Sequence, residues 1–205
     1  MGLNDKQLEY FLSAARWKAF RKNCDSVDSA CSLYEQNVRF CARYYITVHF
    51  FEITLRNEIN ARLCQGIGER WFEQPGALIF PQTRQLNDAV QRLKKQGKRI
   101  IYSDDVVSEL TLGFWVGILR KNYEQKQQYW RKFLYCGFSG RPAGYGRKEL
   151  FNRFDSIRHF RNRVFHHERI VHQHPEEKLR ECLDALGWIN QGAYEWAVEI
   201  LSKMP

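Results

Sequence analysis

Residues 154–171 read F-D-S-I-R-H-F-R-N-R-V-F-H-H-E-R-I-V. Apolar residues recur in this stretch at three- and four-residue steps, at Ile157, Phe160 and Val164. Because an α-helix repeats every 3.6 residues, this spacing predicts one helix with a buried stripe. Four arginines and three histidines stand between the apolar residues. We therefore expect this helix to hold an anion and to move a proton.

The whole chain is basic and rich enough in apolar residues to fold. It has 205 residues, of which 44% are hydrophobic and 15% aromatic, which suits a single packed domain over residues 1–205. Lys and Arg number 32 against 23 Asp and Glu, for a net charge of +9. This balance favours an anionic partner, with nucleic acid first. A structural protein whose basic helix docks an acidic protein is the alternative.

Signals for export, membranes and zinc are missing from the sequence. The first 18 residues are too polar for a secretory signal, and no apolar run approaches the ~20 residues that span a bilayer. Six cysteines occur without a CxxC pair, and the Cys and His spacings fit none of the usual zinc patterns. We expect a cytoplasmic protein with reduced thiols, no membrane contact and no bound metal.

Helical periodicity extends over most of the chain, and no stretch predicts a strand, so the expected fold class is all-α. Clusters of Gly and Pro mark connections at 66–81 and 136–147. Seven helices are expected. Their ranges are 5–22, 26–64, 82–96, 104–121, 124–135, 154–171 and, from near Pro175, 175–201.

Residues 26–64 are expected to form one long helix or a closely joined pair, and they carry two further expectations. Its apolar residues recur at three- and four-residue intervals and should face the core; they are Tyr34, Val38, Cys41, Tyr45, Val48, Phe51 and Leu55. Glu52 stands four residues before Arg56, and Glu58 four before Arg62. Such pairs are usually surface ion pairs. Alternatively, Arg56 and Asn57 contribute to a functional site.

Arg161 and His166 are the residues best suited to chemistry. A five-residue step on an ideal helix turns about 500°, so their Cβ atoms point about 140° apart. Asn162 and His166, four residues apart, share a face. Arg161 and His166 therefore make most sense in a cleft between two helices, or where the same helix from two copies meets in a symmetric dimer. More ordinary roles are an ion pair from Arg161 to Asp155 or to a residue of another helix, and a buried, hydrogen-bonded His166.

The residue types suggest a reaction. An arginine fork binds phosphate and stays charged, while a histidine exchanges protons near neutral pH. Two histidines in one cleft could take the proton of a ribose 2′-hydroxyl and protonate the leaving 5′-oxygen, with arginines stabilising the charge on the phosphate. Such cleavage of RNA needs no cofactor. His166, His167, His172 and His174 could also suggest a metal site, but they have few carboxylates near them and no cysteine.

The run R-N-R-V-F-H-H at 161–167 resembles the Rx4H motif of HEPN domains. The chain is similar more closely to the Abi-like (abortive infection, AbiD/AbiF-type) proteins of bacteria. The similarity includes F-F-E-I-T-L-R-N-E-I at 50–59, E-L-T-L-G-F-W at 109–115 and I-R-H-F-R-N-R-V-F-H-H-E at 157–168. It covers most of residues 33–175, and the last motif is the specific part.

This resemblance implies a HEPN-type helical bundle with additional helices, in which 66–147 is a candidate family-specific insertion. It also implies a homodimer that joins two Rx4H motifs and acts as a metal-independent endoribonuclease toxin in phage defence. A cognate antitoxin, which can be RNA in this family, would restrain it. The catalytic residues implied are Arg161 and His166; the expected RNA-binding or supporting residues are Asn162, Arg163, His167, Arg158 and Arg56. A non-catalytic RNA-binding HEPN module is the alternative.

Overall fold

A computed structural model describes residues 2–204 of the chain. These residues are mostly helical and contain no strand, which confirms the all-α prediction. Two short 3₁₀ turns, Trp71–Glu73 and Leu134–Phe138, accompany the α-helices. The α-helices are α1 Asp5–Leu12, α2 Ala14–Arg21, α3 Val27–Ile67, α4 Gln82–Lys95, α5 Ser103–Glu109, α6 Leu112–Ile118, α7 Lys121–Lys126, α8 Tyr129–Lys132, α9 Arg147–Phe165, α10 Pro175–Ile189 and α11 Gln191–Ser202.

Helix α3 is the central element, with 41 residues and a length of about 60 Å at 1.5 Å per residue. Ser26 caps its first turn, as its side-chain oxygen accepts a hydrogen bond from the Ser29 backbone N–H. Of the two interpretations of 26–64, one long helix or a closely joined pair, the structure has the single helix, which extends to Ile67. Its buried face carries Ala30, Asn37, Phe40, Tyr44, Thr47, Val48, Phe51, Leu55, Ile59 and Leu63.

The predicted stripe of α3 is right in the second half of the helix, whereas in the first half Tyr34 and Cys41 are half-buried and two residues are misplaced. Val48, Phe51 and Leu55 are buried as expected. Val38 and Tyr45, however, are 50% and 52% exposed. Their positions in the core are taken by Asn37 and Tyr44, one residue earlier in the sequence.

Helix α9 packs along α3 through aromatic contacts. The ring centroids of Phe51 and Phe154 are 5.2 Å apart, and those of Tyr44 and Phe160 are 4.8 Å apart. Since residue numbers rise along one helix as they fall along the other, the two helices run antiparallel. This packing buries the predicted stripe of α9 and leaves the C-terminal end of α9 beside the first half of α3.

Residues 66–147 contribute to the same core as α3 and α9. Trp71 is buried against Phe114 and Trp115, and its indole N–H donates to Asn60 on α3 at 2.8 Å. Farther along the chain, Phe138 contacts Phe154 with a ring distance of 5.7 Å. The segment thus covers one side of the central helix and places the α5–α6 turn next to α9.

Four expected helices are divided in the structure. The first helix breaks at Ser13, whose φ of 74° ends α1 and starts α2. The helix that opens at Asp104 breaks at Leu110, where extended backbone separates α5 from α6. The stretch 124–135 holds the end of α7, the four-residue α8 and the beginning of a 3₁₀ turn.

The last predicted helix is also two helices, because the chain is extended at Asn190. The side chain of Asn190 accepts a hydrogen bond from the Ala193 backbone N–H at 2.9 Å and so caps α11. Among residues 2–204, no helix combines the length and the apolar character needed to cross a bilayer.

Candidate functional site

The helix that carries the Rx4H motif ends inside the motif. We expected one helix over 154–171, but α9 stops at Phe165 and His166 is its C-terminal cap. The backbone N–H of His167 donates to the Val164 carbonyl at 3.0 Å, and that of Glu168 donates to the Arg163 carbonyl at 3.0 Å. These two bonds form a Schellman motif, the hydrogen-bond pattern that commonly ends a helix.

His167 occupies the position of the Schellman motif where glycine is usually found. Its φ is 57°, in the left-handed region that residues with a Cβ atom disfavour. The reversal directs residues 168–174 away from the helix axis. As a result, His166 and His167 are both exposed at the end of α9.

The segment after the helix is held by one buried amide of α3. The Asn37 side chain is 4% exposed; its amide nitrogen donates to the Glu168 carbonyl at 3.2 Å, and its amide oxygen accepts from the Ile170 N–H at 2.8 Å. Ile170 itself is buried in the core. Asn37 therefore connects the central helix to the backbone just beyond the histidines.

Arginine side chains also connect this segment to helices α2 and α9. An Nη atom of Arg16 on α2 donates to the His166 carbonyl at 3.4 Å, and Arg169 donates to the Ala19 carbonyl at 2.7 Å. Arg163 on α9 donates to Glu168 at 3.0 Å and to Gln173 at 2.7 Å. These contacts give Arg163 a structural role in fixing the turn.

Arg161 is held loosely by comparison. Its guanidinium carbon lies 4.0 Å from the centroid of the Phe165 ring, in cation–π geometry. Its polar contacts are long: 3.5 Å to the Asn162 amide oxygen and 3.6 Å to a Glu52 carboxylate oxygen. The buried Nε has no hydrogen-bond partner among residues 2–204. The two Nη groups of Arg161 thus make only long polar contacts and could exchange them for an anion.

Arg161 lies at a cleft of about 470 Å³ between α3, α9 and the α5–α6 turn. The cleft is lined by Glu52, residues 108–113, Arg158, Arg161 and Asn162. Arg158 is anchored by Asp155, which accepts from its Nε at 2.8 Å. Three expected site residues, Arg158, Arg161 and Asn162, therefore share one cavity, while Arg163, His166 and His167 lie outside its lining.

Arg56 and its expected partner Glu52 do not form the predicted pair. Glu52 instead approaches Arg161, whereas Glu58 pairs with Arg62 at 2.7 Å as expected. Arg56 lies one helical turn beyond Glu52, is half-buried, and has an Nε without a hydrogen-bond partner among the described residues. Of the two ordinary pairings of Arg161, the one with Asp155 is not found, and Asp155 pairs with Arg158 instead. The pairing with another helix is found, because a Glu52 carboxylate oxygen on α3 lies 3.6 Å from Arg161 Nη2.

Exposed aromatic rings lie next to Arg161. Phe165 and Tyr45 have ring centroids 5.7 Å apart, Tyr45 and His49 6.0 Å, His49 and Phe50 5.9 Å, and Phe50 and Trp196 5.1 Å. Tyr45 is 52% and Trp196 60% exposed. We call these five residues the aromatic surface.

The cysteines do not suit nucleophilic chemistry where a shift of their pKa is resolved. Burial is the main cause that raises the thiol pKa of Cys31, Cys41, Cys64 and Cys182. A raised pKa keeps the thiol protonated, and the thiolate is the reactive form. Across the described part of the chain, no three His, Cys, Asp or Glu side chains cluster as metal ligands would.

Sequence reasoning missed Glu52 and Asn37 as parts of this region. Asn37 carries a detectable signal, because once the correct phase of α3 is known it is, with Thr47, one of two polar residues on a buried helical face. Glu52 carries none, since Arg56 is its natural partner in sequence and Arg161 becomes its partner only through folding.

Comparisons of this chain with protein-family models, curated proteins and solved structures find no match. Support for a function therefore comes from the geometry of the Arg161 region and from the motif in the sequence.

The left-handed turn at His167 yields a stability prediction. Replacing His167 by Gly should raise the free energy of unfolding by about 1 kcal/mol, because Gly adopts φ > 0 without the Cβ penalty. His172→Gly is the matched control; it should lower the free energy of unfolding, since it gains only unfolded-state entropy. Chemical denaturation of the three proteins measures both. Destabilisation by His167→Gly would show that its imidazole makes contacts that outweigh the backbone strain.

Proposed function

We propose that this protein is a metal-independent endoribonuclease of the HEPN type, acting as the toxin of a bacterial abortive-infection or toxin–antitoxin system. Arg161 and His166 are its catalytic residues. Its partners are the RNA that it cleaves, a second copy of the chain, and a cognate antitoxin of RNA or protein. The bundle would work in the cytoplasm and need no cofactor.

The observation that carries this proposal is the state of the Arg161 guanidinium. Arginine is always charged, and the N–H groups of a structural arginine normally make short hydrogen bonds, as those of Arg163 do at 2.7 and 3.0 Å. Arg161 has only contacts of 3.5 and 3.6 Å and lies at an open cleft. Such a group is prepared for a phosphate that would replace these weak contacts by a bidentate pair.

The position of His166 suits proton transfer to a bound strand. It is exposed at the end of α9, and its backbone is fixed by hydrogen bonds to Asn162 and from Arg16. In the proposed reaction a histidine removes the 2′-hydroxyl proton, and the 2′-oxygen attacks the neighbouring phosphorus. The bond from phosphorus to the 5′-oxygen breaks, and a second histidine donates a proton to that oxygen. The products are a 2′,3′-cyclic phosphate and a 5′-hydroxyl.

A non-catalytic RNA-binding module is the second candidate, and one observation favours it. His166 and His167 lie outside the lining of the cleft that contains Arg161 and Arg158. Within a single copy, the phosphate-binding groups and the proton-transfer groups are thus not part of one cavity. A second copy could complete the site; without one, the same surface would bind RNA and leave it intact.

Cleavage of a mixed RNA substrate in EDTA distinguishes the two candidates. We expect wild-type protein to cut, His166→Ala to lose about 100-fold or more of the rate, and Arg161→Gln to lose a similar factor. His172→Ala, an exposed histidine of the same segment, is the control and should cut at the wild-type rate. Tight RNA binding by wild type without cutting would favour the binding module, and activity restored only by divalent metal would contradict the mechanism.

We propose that the second copy docks on the aromatic surface. Contiguous exposed rings usually mark an interaction site, because water solvates them poorly. This surface adjoins Arg161 through Phe165, so a partner docked there would bring its own helix end next to the cleft. Two helix ends related by a twofold axis would then supply two histidines to one site.

Sedimentation velocity tests this assembly. Wild type should be dimeric, and Tyr45→Ser combined with Trp196→Ser should weaken the dimer by roughly 100-fold or more, because buried aromatic anchors dominate interface energies. Tyr10→Ser removes a ring that is 92% exposed on α1 and should leave the dimer intact. A monomeric wild type would contradict the proposed assembly. A double variant that stays dimeric but loses RNA affinity would instead assign the surface to stacked bases.

A further inference from the structure

Three separate stretches of sequence converge on the cleft beside Arg161. Glu52 comes from F-F-E-I-T-L-R-N-E-I, residues 109–113 come from E-L-T-L-G-F-W, and Arg158, Arg161 and Asn162 come from I-R-H-F-R-N. The middle stretch had no assigned role at the sequence level. In the folded chain this stretch lies opposite the arginines and forms the second wall of the cavity.

The size and chemistry of this cavity fit a nucleotide. A volume of about 470 Å³ lies within the usual range for small-molecule sites, about 300–1,000 Å³. Two carboxylates line the cavity, Glu52 and Glu109, and each is paired with an arginine. Its donors are two guanidinium groups, the Asn162 amide and the Thr111 hydroxyl, which makes no capping hydrogen bond to α6. Such donors recognise phosphate and ribose oxygens without reading a base.

The two arginines play different parts. Arg158 is fixed by Asp155 through both Nε and Nη2, each at 2.8 Å, and its Nη2 also contacts His159. Its Nη1 makes no hydrogen bond within residues 2–204. It therefore presents a rigidly held donor. Arg161 is looser, with its charge balanced by Glu52 at 3.6 Å. An arriving phosphate would compete with the Glu52 carboxylate for the same guanidinium.

We propose that this cleft is a nucleotide subsite, which binds the phosphate and ribose of the RNA nucleotide next to the bond that is cut. Arg158 and Arg161 hold the phosphate, and Asn162 and Thr111 contact its oxygens or the ribose hydroxyls. Glu52 acts as a resident counter-ion that keeps Arg161 in place and weakens phosphate binding by repulsion. The inference rests on the proposed function and adds the location of a flanking nucleotide.

Two substitutions with opposite expected effects test the subsite. Arg158→Gln removes one positive charge and should weaken binding by about tenfold. Glu52→Gln keeps the size of the side chain but removes the repelling charge, so it should tighten binding by roughly threefold or more. Arg84→Gln removes an exposed arginine of α4 outside the cleft and should leave the dissociation constant unchanged. Thermal unfolding of each variant checks that it is folded.

The measurement is isothermal titration calorimetry at low salt, in a His166→Ala background so that no ligand is cleaved. The probes are adenosine 3′-monophosphate, adenosine and an RNA tetranucleotide. We expect the monophosphate to bind, adenosine to bind at least tenfold more weakly, and the tetranucleotide to bind at least tenfold more tightly than the monophosphate. Equal affinity for the monophosphate and the tetranucleotide would overturn the assignment to RNA, since it would indicate a site for free nucleotides.

The experiments give different results if the subsite proposal is wrong and if the nuclease proposal is wrong. If wild type cuts RNA but Arg158→Gln and Glu52→Gln both bind the probes as the parent does, the subsite is wrong and the nuclease stands. If the two substitutions shift affinity in opposite directions while wild type cuts nothing, the subsite stands as the binding site of a non-catalytic protein.

Discussion

The pair of hydrogen bonds made by the Asn37 amide is the constraint on which the functional region depends. The amide lies on the buried face of α3 and bonds to the backbone on either side of Arg169. Removing it would leave a buried carbonyl and a buried N–H without partners, at a cost of about 1–3 kcal/mol. Because the chain has just left α9 through a left-handed turn, these bonds determine where the exposed histidines lie relative to the central helix.

The antiparallel packing of α9 on α3 determines the other half of the region. Contacts of Phe154 with Phe51 and of Phe160 with Tyr44 fix the register of the two helices. In this register Glu52 comes opposite Arg161, and the α5–α6 turn closes the third side of the cleft. An arginine with weak contacts is therefore a consequence of core packing, since the aromatic residues and not the ion pair decide the separation of the helices.

The sequence predicts the existence of most helices but not where several of them end. The long periodic segment of α3 and the buried stripe of α9 are correct because apolar spacing reports burial directly. The breaks at Ser13 and His167 occur at positive φ on residues other than glycine, so no residue type announces them. The phase error in α3 occurs at Asn37 and Val38 and at the adjacent tyrosines 44 and 45, where apolar spacing alone does not decide the buried residue. Contacts with Phe40 and Phe160 bury Tyr44.

For the candidate site as well, the sequence predicts some features and misses others. Arg161, Arg158 and Asn162 could be named from the motif, and they share one cleft. The separation of His166 from Arg161 follows from the five-residue step on a helix, which turns about 500°. The end of the helix at residue 165 could not be foreseen, because the chain reverses through a positive φ at His167, which is not a glycine. Glu52 became part of the site through a tertiary contact that a local pairing rule assigns to Arg56.

The central claim is that this chain cleaves RNA by using the 2′-hydroxyl as the nucleophile. Its most direct test compares an RNA with its fully 2′-O-methylated counterpart in EDTA, with the ends of the products identified by mass spectrometry. We expect the RNA to be cut to 2′,3′-cyclic phosphate and 5′-hydroxyl ends, and the methylated strand to stay intact. Cutting of the methylated strand, or products with 5′-phosphate and 3′-hydroxyl ends, would contradict the mechanism.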